Sequence, residues 1–197
     1  KLTNTTARIG YMLGGGVSQK NVLIYYPIES VFAATSSGSG SKYTRAITDN
    51  FSQLMQRFSL ENIDYLLADT TNILAGEVRG GKFVAPSGLE FETVIIPYST
   101  CIPAALVDKL TELAQGGVRI ILQNTSEIIC ETQAQQADFE AKLTALAEHQ
   151  NCVVQDSVGK IIEYVENHCN ARFVRVLNHT GGSDPIVAVK HKNANNS

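Results

Sequence analysis

The chain has 197 residues, a formal net charge of −3 and four cysteines without Cys-x-x-Cys or metal-ligand spacing. Its length fits one domain and, at most, the beginning of a second. The acidic balance argues against a nucleic-acid-binding surface, and no apolar run reaches the roughly 20 residues of a membrane-spanning helix. We therefore expect a soluble globular protein with no metal, nucleic acid or membrane among its partners.

The N-terminal part of the chain begins with a helix and a buried strand. Helical spacing of apolar residues predicts a helix over 6–13, which the glycines at 14–16 end because glycine readily adopts the left-handed cap conformation. The continuous apolar run at 21–27 predicts a strand buried on both faces. A long loop with a serine-rich end is predicted from 28 to 42, followed by an amphipathic helix over 43–60.

The middle of the chain repeats this alternation of strands and helices. Residues 63–68 predict a second strand, after which Asp69 and Thr70 can cap a short helix that ends at residue 75. The polar, glycine-rich residues 77–86 predict a loop or hairpin at the edge of the sheet. The apolar run at 92–97, which ends in proline, predicts the third strand.

Two further strand–helix units complete the regular part of the chain. The patterns predict a helix over 103–115, a strand over 118–123, a helix over 134–149, a strand over 152–155 and a helix over 158–168. Strands that alternate with helices indicate βαβ units and a parallel sheet covered on both faces. We therefore predict an α/β, doubly wound, flavodoxin-like domain with a mainly parallel five-stranded sheet in the order 2-1-3-4-5.

The C-terminal tail has a different pattern. Residues 173–177 and 186–190 alternate apolar and polar residues, which predicts an antiparallel β hairpin. We therefore divide the chain into an α/β domain over 1–170 and a tail over 171–197 that forms edge strands or begins a following β module. Because Lys1 is not an initiator methionine and no leader pattern is present, we expect the chain to be a piece of a longer protein.

The candidate site residues follow the first and third strands, whose carboxyl ends flank the crevice of a flavodoxin-like sheet. Tyr26, Glu29 and Ser30 come after the first strand, and Tyr98 and Cys101 come after the third. A carboxylate beside tyrosines can bind sugar hydroxyls while a ring packs on the sugar. The alternative is that this carboxylate caps its loop or contacts another domain. The sequence offers no convincing carboxylate pair for glycoside hydrolysis.

Two other functions remain open at this point. The serine-rich residues 36–41 suit the phosphate of a flavin or nucleotide, but they follow Pro27 at a distance and lack the phosphate-binding glycine motifs. Cys101 suits the nucleophile of an amidotransferase-like hydrolase, which requires a base and a lowered thiol pKa. Neither an obvious local base nor a nucleophile-elbow pattern accompanies it. We therefore expect no cofactor and no catalytic residue in this chain.

Two segments resemble a domain of large bacterial enzymes. The sequence ARIGYMLGGGVSQKNVLIYYPIESVFA at 7–33 resembles the segment after the catalytic barrel in α-L-rhamnosidases of glycoside hydrolase family 106. The sequence FETVIIPYSTCIPAALVDKLTELAQGGVRIIL at 91–122 resembles the third and fourth strands of the same domain. It is also similar to the trimerisation domain of family 42 β-galactosidases, which has a glutamine-amidotransferase-like fold without the amidotransferase triad.

The resemblance implies an accessory α/β domain of a bacterial glycoside hydrolase. Such a domain packs beside the catalytic barrel and a neighbouring β domain of the parent chain, supports homo-oligomer contacts, or rims a carbohydrate-binding cleft. The resemblance also implies a periplasmic or extracellular location. No catalytic carboxylate of the family carries over onto this sequence, so hydrolase activity of this chain by itself is not implied.

Overall fold

The computed structural model describes residues 6–7, 11, 16–18, 20–36, 40–126, 128–132, 135–169, 171 and 191–193. The strands, in chain order, are β1 (Gly16–Ser18), β2 (Val22–Tyr25), β3 (Tyr65–Ala68), β4 (Glu77–Arg79), β5 (Lys82–Val84), β6 (Glu90–Phe91), β7 (Thr93–Ile96), β8 (Cys101–Ile102), β9 (Arg119–Gln123), β10 (Ile129–Cys130), β11 (Cys152–Gln155) and β12 (His191–Asn193). The helices are α1 (Ile28–Ser36), α2 (Gly40–Leu60), α3 (Thr70–Ala75), α4 (Ala104–Gln115), α5 (Gln136–Ala147) and α6 (Val158–His168). None of the helices in these described ranges is both long and apolar enough to cross a membrane.

Five parallel strands form the central sheet in the spatial order β11–β9–β7–β2–β3. Counted along the chain, this is the flavodoxin-like order 2-1-3-4-5, so the predicted α/β doubly wound fold is confirmed. Leu23 of β2 lies opposite Leu66 of β3 on one side and Val94 of β7 on the other. The inner strands are continuous apolar runs because helices cover both of their faces.

Two hydrophobic cores lie on opposite faces of the central sheet. Helices α3, α4 and α5 cover one face, and their buried residues are Ile73, Leu106, Val107, Leu110, Leu113, Ala114, Phe139, Leu143 and Leu146. Helices α2 and α6 cover the other face, and the residues that they contribute to this core are Leu54, Phe58, Val158, Ile161, Ile162 and Val165. Burial of a large apolar side chain contributes about 1.5–3 kcal/mol, so these two cores supply most of the driving force for folding.

A small antiparallel sheet of β4, β5 and β6 packs on the first core. The predicted hairpin over 77–86 is confirmed by the β4–β5 pair, whose turn places Gly80 and Gly81 at φ values of 59° and 77°. Phe83 and Phe91 are fully buried, with ring centroids 6.2 Å apart. The expected place at the edge of the central sheet is wrong, because these aromatic residues bury the hairpin against the core as a separate sheet.

The chain between β2 and α2 differs from the predicted loop. Helix α1 occupies most of it, and α2 begins at Gly40. Ile28, Val31 and Ala34 recur every third residue, which gives this short helix one apolar side, and Ala34 is buried. The serine-rich residues that follow the helix make the whole segment look like a loop in the sequence.

Two predictions concern residues that lie largely outside the described part of the chain. The helix over 6–13 is described only at three residues, and the hairpin over 173–190 is not described. An unpredicted antiparallel pair joins β1 to β12, with Val17 opposite Lys192. The division of the chain at residue 170 stays a prediction.

The N-cap of α3 gives a local test of stability. Asp69 accepts hydrogen bonds from the backbone N–H of Asn72 at 2.8 Å and from its side chain at 2.7 Å. We expect Asp69→Ala to lower the free energy of unfolding by about 1 kcal/mol, whereas Asp69→Asn retains a capping oxygen and changes it much less. Urea unfolding of both variants measures the difference, and equal loss in the two would contradict a capping role.

The same N-cap makes the stability of the protein depend on pH. The hydrogen bonds from Asn72 hold the pKa of the Asp69 carboxyl below its ordinary value. A group with a lowered folded-state pKa contributes stability above its unfolded pKa of about 3.9, and this contribution is lost as the pH falls through the folded value. The stability gap between wild type and Asp69→Ala should therefore narrow on acidification.

Candidate functional site

The first turn of α1 lies at the carboxyl ends of β2 and β7 and is bonded to the segment that follows β7. Ser30 is fully buried there, and its Oγ donates a hydrogen bond to the carbonyl oxygen of Cys101 at 2.7 Å. The same Oγ accepts hydrogen bonds from the backbone N–H groups of Thr100 and Cys101, both at 3.1 Å. Because α1 follows β2 and these backbone groups follow β7, Ser30 joins the two strands at the point where the strand order of the sheet reverses.

Glu29 lies on the other side of this turn, near the end of β3. Its Oε2 accepts a hydrogen bond from the Tyr25 hydroxyl at 2.6 Å, and its Oε1 accepts one from the hydroxyl of Thr70 at 2.5 Å. Burial, followed by the hydrogen bond to Glu29, raises the pKa of the Tyr25 hydroxyl above its usual value. The half-buried carboxylate therefore connects β2, α1 and the beginning of α3 through neutral hydroxyl donors.

The two tyrosine candidates, Tyr26 and Tyr98, have different surroundings. The Tyr26 side chain is 42% exposed, and its ring packs edge-to-face on Phe51 of α2 with centroids 5.4 Å apart. Tyr98 is half-buried, and its backbone N–H donates to Oε1 of the buried Gln123 at 3.2 Å. The structure therefore brings Ser30 to Cys101, and it packs the Tyr26 ring against α2.

Cys101 lacks the surroundings of an activated thiol. Its side chain is 6% exposed, and burial raises its pKa, with the nearby carboxylates of Glu131 and Glu29 and the thiol of Cys130 adding to the effect. The β8–β10 register sets Cys101 opposite Ile129 and Cys130 opposite Ile102, so the two thiols project to opposite faces. The four cysteines are free. A thiol with a raised pKa is a poor nucleophile near neutral pH.

Thiol alkylation tests this account of Cys101. We expect iodoacetamide at about pH 8 to modify Cys101 of the folded protein much more slowly than a small-molecule thiol, and to modify it rapidly in urea. Peptide mass mapping separates this reaction from that of Cys152, whose pKa burial raises to about 12. Fast and selective alkylation of Cys101 in the folded protein would contradict the buried, protonated thiol.

The structure also bears on the serine-rich segment and on metal binding. Helix α1 separates β2 from the serine-rich residues 36–41, of which residues 37–39 lie outside the described part of the chain. A flavodoxin-type phosphate loop needs to follow its strand directly, so these residues lie in an unsuitable place for one. Within the described residues, no group of three or more histidine, cysteine or carboxylate side chains is arranged to hold a metal ion.

Several residues at this edge of the sheet were not singled out in the sequence. Thr70 lies two residues beyond the end of β3 and was predicted only as a cap of the following helix, so the strand-end rule that selected Glu29 would also have found it as a site residue. Gln123 is buried and follows three apolar residues of its strand, and a polar residue in that position indicates a hydrogen-bonding role. Asn124 has a φ of 47°, and its Oδ1 accepts hydrogen bonds from the Ser126 backbone and hydroxyl at 3.1 and 2.7 Å. These bonds order the β9–β10 connection.

Comparison with solved structures finds the same fold in one part of a much longer protein. The match is to a rhamnosidase from Novosphingobium sp. PP1Y, with a TM-score of 0.51 and 15% sequence identity. It covers 86% of this chain and 16% of the rhamnosidase chain. The chain shares a fold with that enzyme. At this identity the comparison carries no residue roles from one protein to the other.

Comparisons by sequence add nothing to this structural similarity. No family model matches the chain, and no curated protein matches it. The link to glycoside hydrolases therefore rests on a shared fold and on the residues quoted from 7–33 and 91–122.

Proposed function

We propose that this chain is an accessory, non-catalytic α/β domain of a bacterial glycoside hydrolase. The fold shared with part of a rhamnosidase supports this, because the match covers most of this chain and only 16% of that enzyme. A fold alone does not determine function, so the proposal depends on the candidate site as well.

The observation that carries the proposal is the anchoring of α1 by Ser30 at the carboxyl ends of the strands. Doubly wound folds bind ligands in the crevice outside the carboxyl ends of their strands, where the strand order reverses. In this chain the first turn of α1 lies in that crevice, and the hydroxyl of Ser30 makes three hydrogen bonds to the segment after β7. A buried serine whose hydrogen bonds all go to the backbone serves folding and rigidity, which suits a supporting domain.

The other two functions have less support from the same contacts. A flavin phosphate would compete with α1 for the end of β2, and a Cys101 nucleophile would need a thiolate that burial and neighbouring carboxylates disfavour. Saturable binding of FMN would favour a flavodoxin-type protein over our proposal. Rapid alkylation of Cys101, with an activity lost in Cys101→Ala, would favour an amidotransferase-like hydrolase.

The proposal extends to partners and location through the family resemblance. The domain would contact the catalytic barrel and a neighbouring β domain of the parent chain, and support contacts between copies of the parent. The parent enzyme would act in the periplasm or outside the cell. These statements rest on the resemblance of residues 7–33 and 91–122.

The size of the native protein tests the proposal. An antibody raised against this chain should detect, in the source organism, a protein much heavier than the 21.3 kDa of these 197 residues. Tryptic peptides of that protein should include a glycoside hydrolase barrel. Detection of a native protein with the mass of the chain alone, or of a longer protein without a hydrolase domain, would contradict the proposal.

A further inference from the structure

Helix α1 buries little apolar surface. Among residues 28–35, Ala34 is the one apolar side chain that is buried. Ile28 and Val31 are half-buried, and Phe32 is 67% exposed. Helix α4, by comparison, buries Leu106, Val107, Leu110, Leu113 and Ala114. An element with few buried apolar contacts opens at a lower free energy than the whole domain unfolds, so α1 is a candidate for local opening, although it also packs against α2.

Polar contacts at one end of α1 hold the helix in place. The Ser30 hydroxyl makes three hydrogen bonds to the backbone of the segment after β7. The Glu29 carboxylate accepts two more, from the hydroxyls of Tyr25 and Thr70. Hydrogen bonds are short-ranged and directional, so displacement of the first turn breaks all of them together. Water can then replace the lost partners, which makes this opening easier than the exposure of a hydrophobic core.

Cys101 lies beneath this turn of α1. The Ser30 hydroxyl bonds to both the N–H and the carbonyl of Cys101, and α1 packs against β8, the strand that carries this cysteine. The Cys101 side chain is 6% exposed but belongs to neither hydrophobic core, whereas Cys130 lies in the core beneath α3, α4 and α5. Burial raises the pKa of the Cys101 thiol, and the carboxylates of Glu131 and Glu29 are close enough to add to the effect. The Cys101 thiol is therefore covered from the side of α1.

We infer that α1 is a cover over Cys101 and the carboxyl ends of β2 and β7, and that it opens while the rest of the domain stays folded. Doubly wound folds bind ligands at these strand ends. A ligand or partner that binds there contacts the open form, and it shifts the population toward that form according to its preference for it. A moving helix goes beyond the proposed function, since a supporting domain does not require one.

The experiment compares the rates at which iodoacetamide alkylates two buried thiols of the folded chain, Cys101 and Cys130, at about pH 8 and in up to about 2 M urea. Peptide mass mapping gives each rate, which is divided by the rate of the same thiol in the unfolded chain. Without urea we expect this ratio to be at least about tenfold larger for Cys101 than for Cys130, though still far below one. The Cys101 rate should rise little with urea because local opening exposes little surface, whereas the Cys130 rate should rise with the slope of global unfolding.

Two substitutions separate the opening of α1 from a loss of global stability. Thr70→Ala removes a hydroxyl donor of Glu29 and should raise the Cys101 rate at least about threefold. Thr70→Ser keeps this donor and should restore the wild-type rate. Ile161→Val trims a fully buried side chain in the core beneath α2 and α6. It should raise the Cys130 rate about two- to tenfold and leave the Cys101 rate unchanged.

The inference is overturned if Cys101 is protected no less than Cys130, or if it reacts as fast in the folded chain as in the unfolded one. It is also overturned if Ile161→Val accelerates both thiols equally, or if Thr70→Ala leaves the Cys101 rate unchanged. If Thr70→Ala fails to fold, the urea dependence of the wild-type rates still decides the matter. Failure of this experiment leaves the accessory-domain proposal standing, because that proposal fails separately, on the size and composition of the native protein.

Discussion

Replacing Phe58 by alanine is expected to lower the free energy of unfolding by about 3–5 kcal/mol. Phe58 is fully buried on α2, belongs to the core beneath α2 and α6, and packs edge-to-face on Tyr65 of β3 with ring centroids 5.6 Å apart. Truncation removes the transfer free energy of the ring and leaves a cavity that the parallel sheet cannot close. Single domains are stable by about 5–15 kcal/mol, so this one change removes a large share of the total.

The matched control for this substitution is Phe32→Ala. It makes the same chemical change in a helix, but at a side chain that is 67% exposed. We expect the free energy of unfolding to change by no more than about 0.5 kcal/mol. Urea unfolding followed by circular dichroism measures both variants, with the midpoint shifting at constant slope. A similar loss in the two variants would contradict the assignment of Phe58 to the core and Phe32 to the surface.

Ser30→Ala is expected to lower the free energy of unfolding by about 2–4 kcal/mol, although it removes a single oxygen atom. The carbonyl of Cys101 and the N–H groups of Thr100 and Cys101 lose the partner that the Ser30 hydroxyl provides. Removing one partner of a buried hydrogen bond leaves the other to bear its full desolvation cost. Hydrogen exchange should also become faster in α1 and in the segment after β7, because the bond between them is lost.

Ser59→Ala is the matched control for Ser30→Ala. The Ser59 hydroxyl donates to the carbonyl of Met55 one helical turn earlier and is exposed on α2. Water replaces its hydrogen bond, and alanine is the better helix former, so stability should stay within about 0.5 kcal/mol of wild type. If Ser30→Ala lowers the free energy of unfolding no more than Ser59→Ala does, then the Ser30 hydroxyl does not anchor α1 to the segment after β7.

Much of the fold could be predicted because each buried parallel strand leaves a contiguous apolar run. The runs at Val22–Tyr25 and Thr93–Ile96 are buried throughout and lie between helical patterns, which indicates a parallel sheet and suits the order 2-1-3-4-5. The short strands β8 and β10 have two residues each and leave no periodicity to detect. The β4–β5 hairpin forms a separate sheet because Phe83 packs into the first core. No local sequence pattern predicts this long-range contact.

The sequence predicted where the candidate site residues lie, but it did not predict which groups they bind. The strand-end rule selected Ser30 and Cys101, yet it could not show that a hydroxyl and a backbone carbonyl 71 residues apart would bind each other. Helix α1 was missed, and with it the attachment of its first turn to the segment after β7. Glu29 was recognised as a chemically useful carboxylate, but its donors, Tyr25 and Thr70, come from β2 and the beginning of α3. Such contacts depend on tertiary packing.

The central claim is that this chain is a non-catalytic domain of a glycoside hydrolase. Its most direct test is to measure the hydrolysis of a panel of aryl glycosides, including an aryl α-L-rhamnoside, by the complete gene product and by this chain alone. We expect turnover by the complete gene product and none above background by the folded chain. Turnover by the chain alone at an ordinary enzymatic rate, about 1–1000 per second, would contradict it. A complete gene product that is inert on the whole panel would also contradict it.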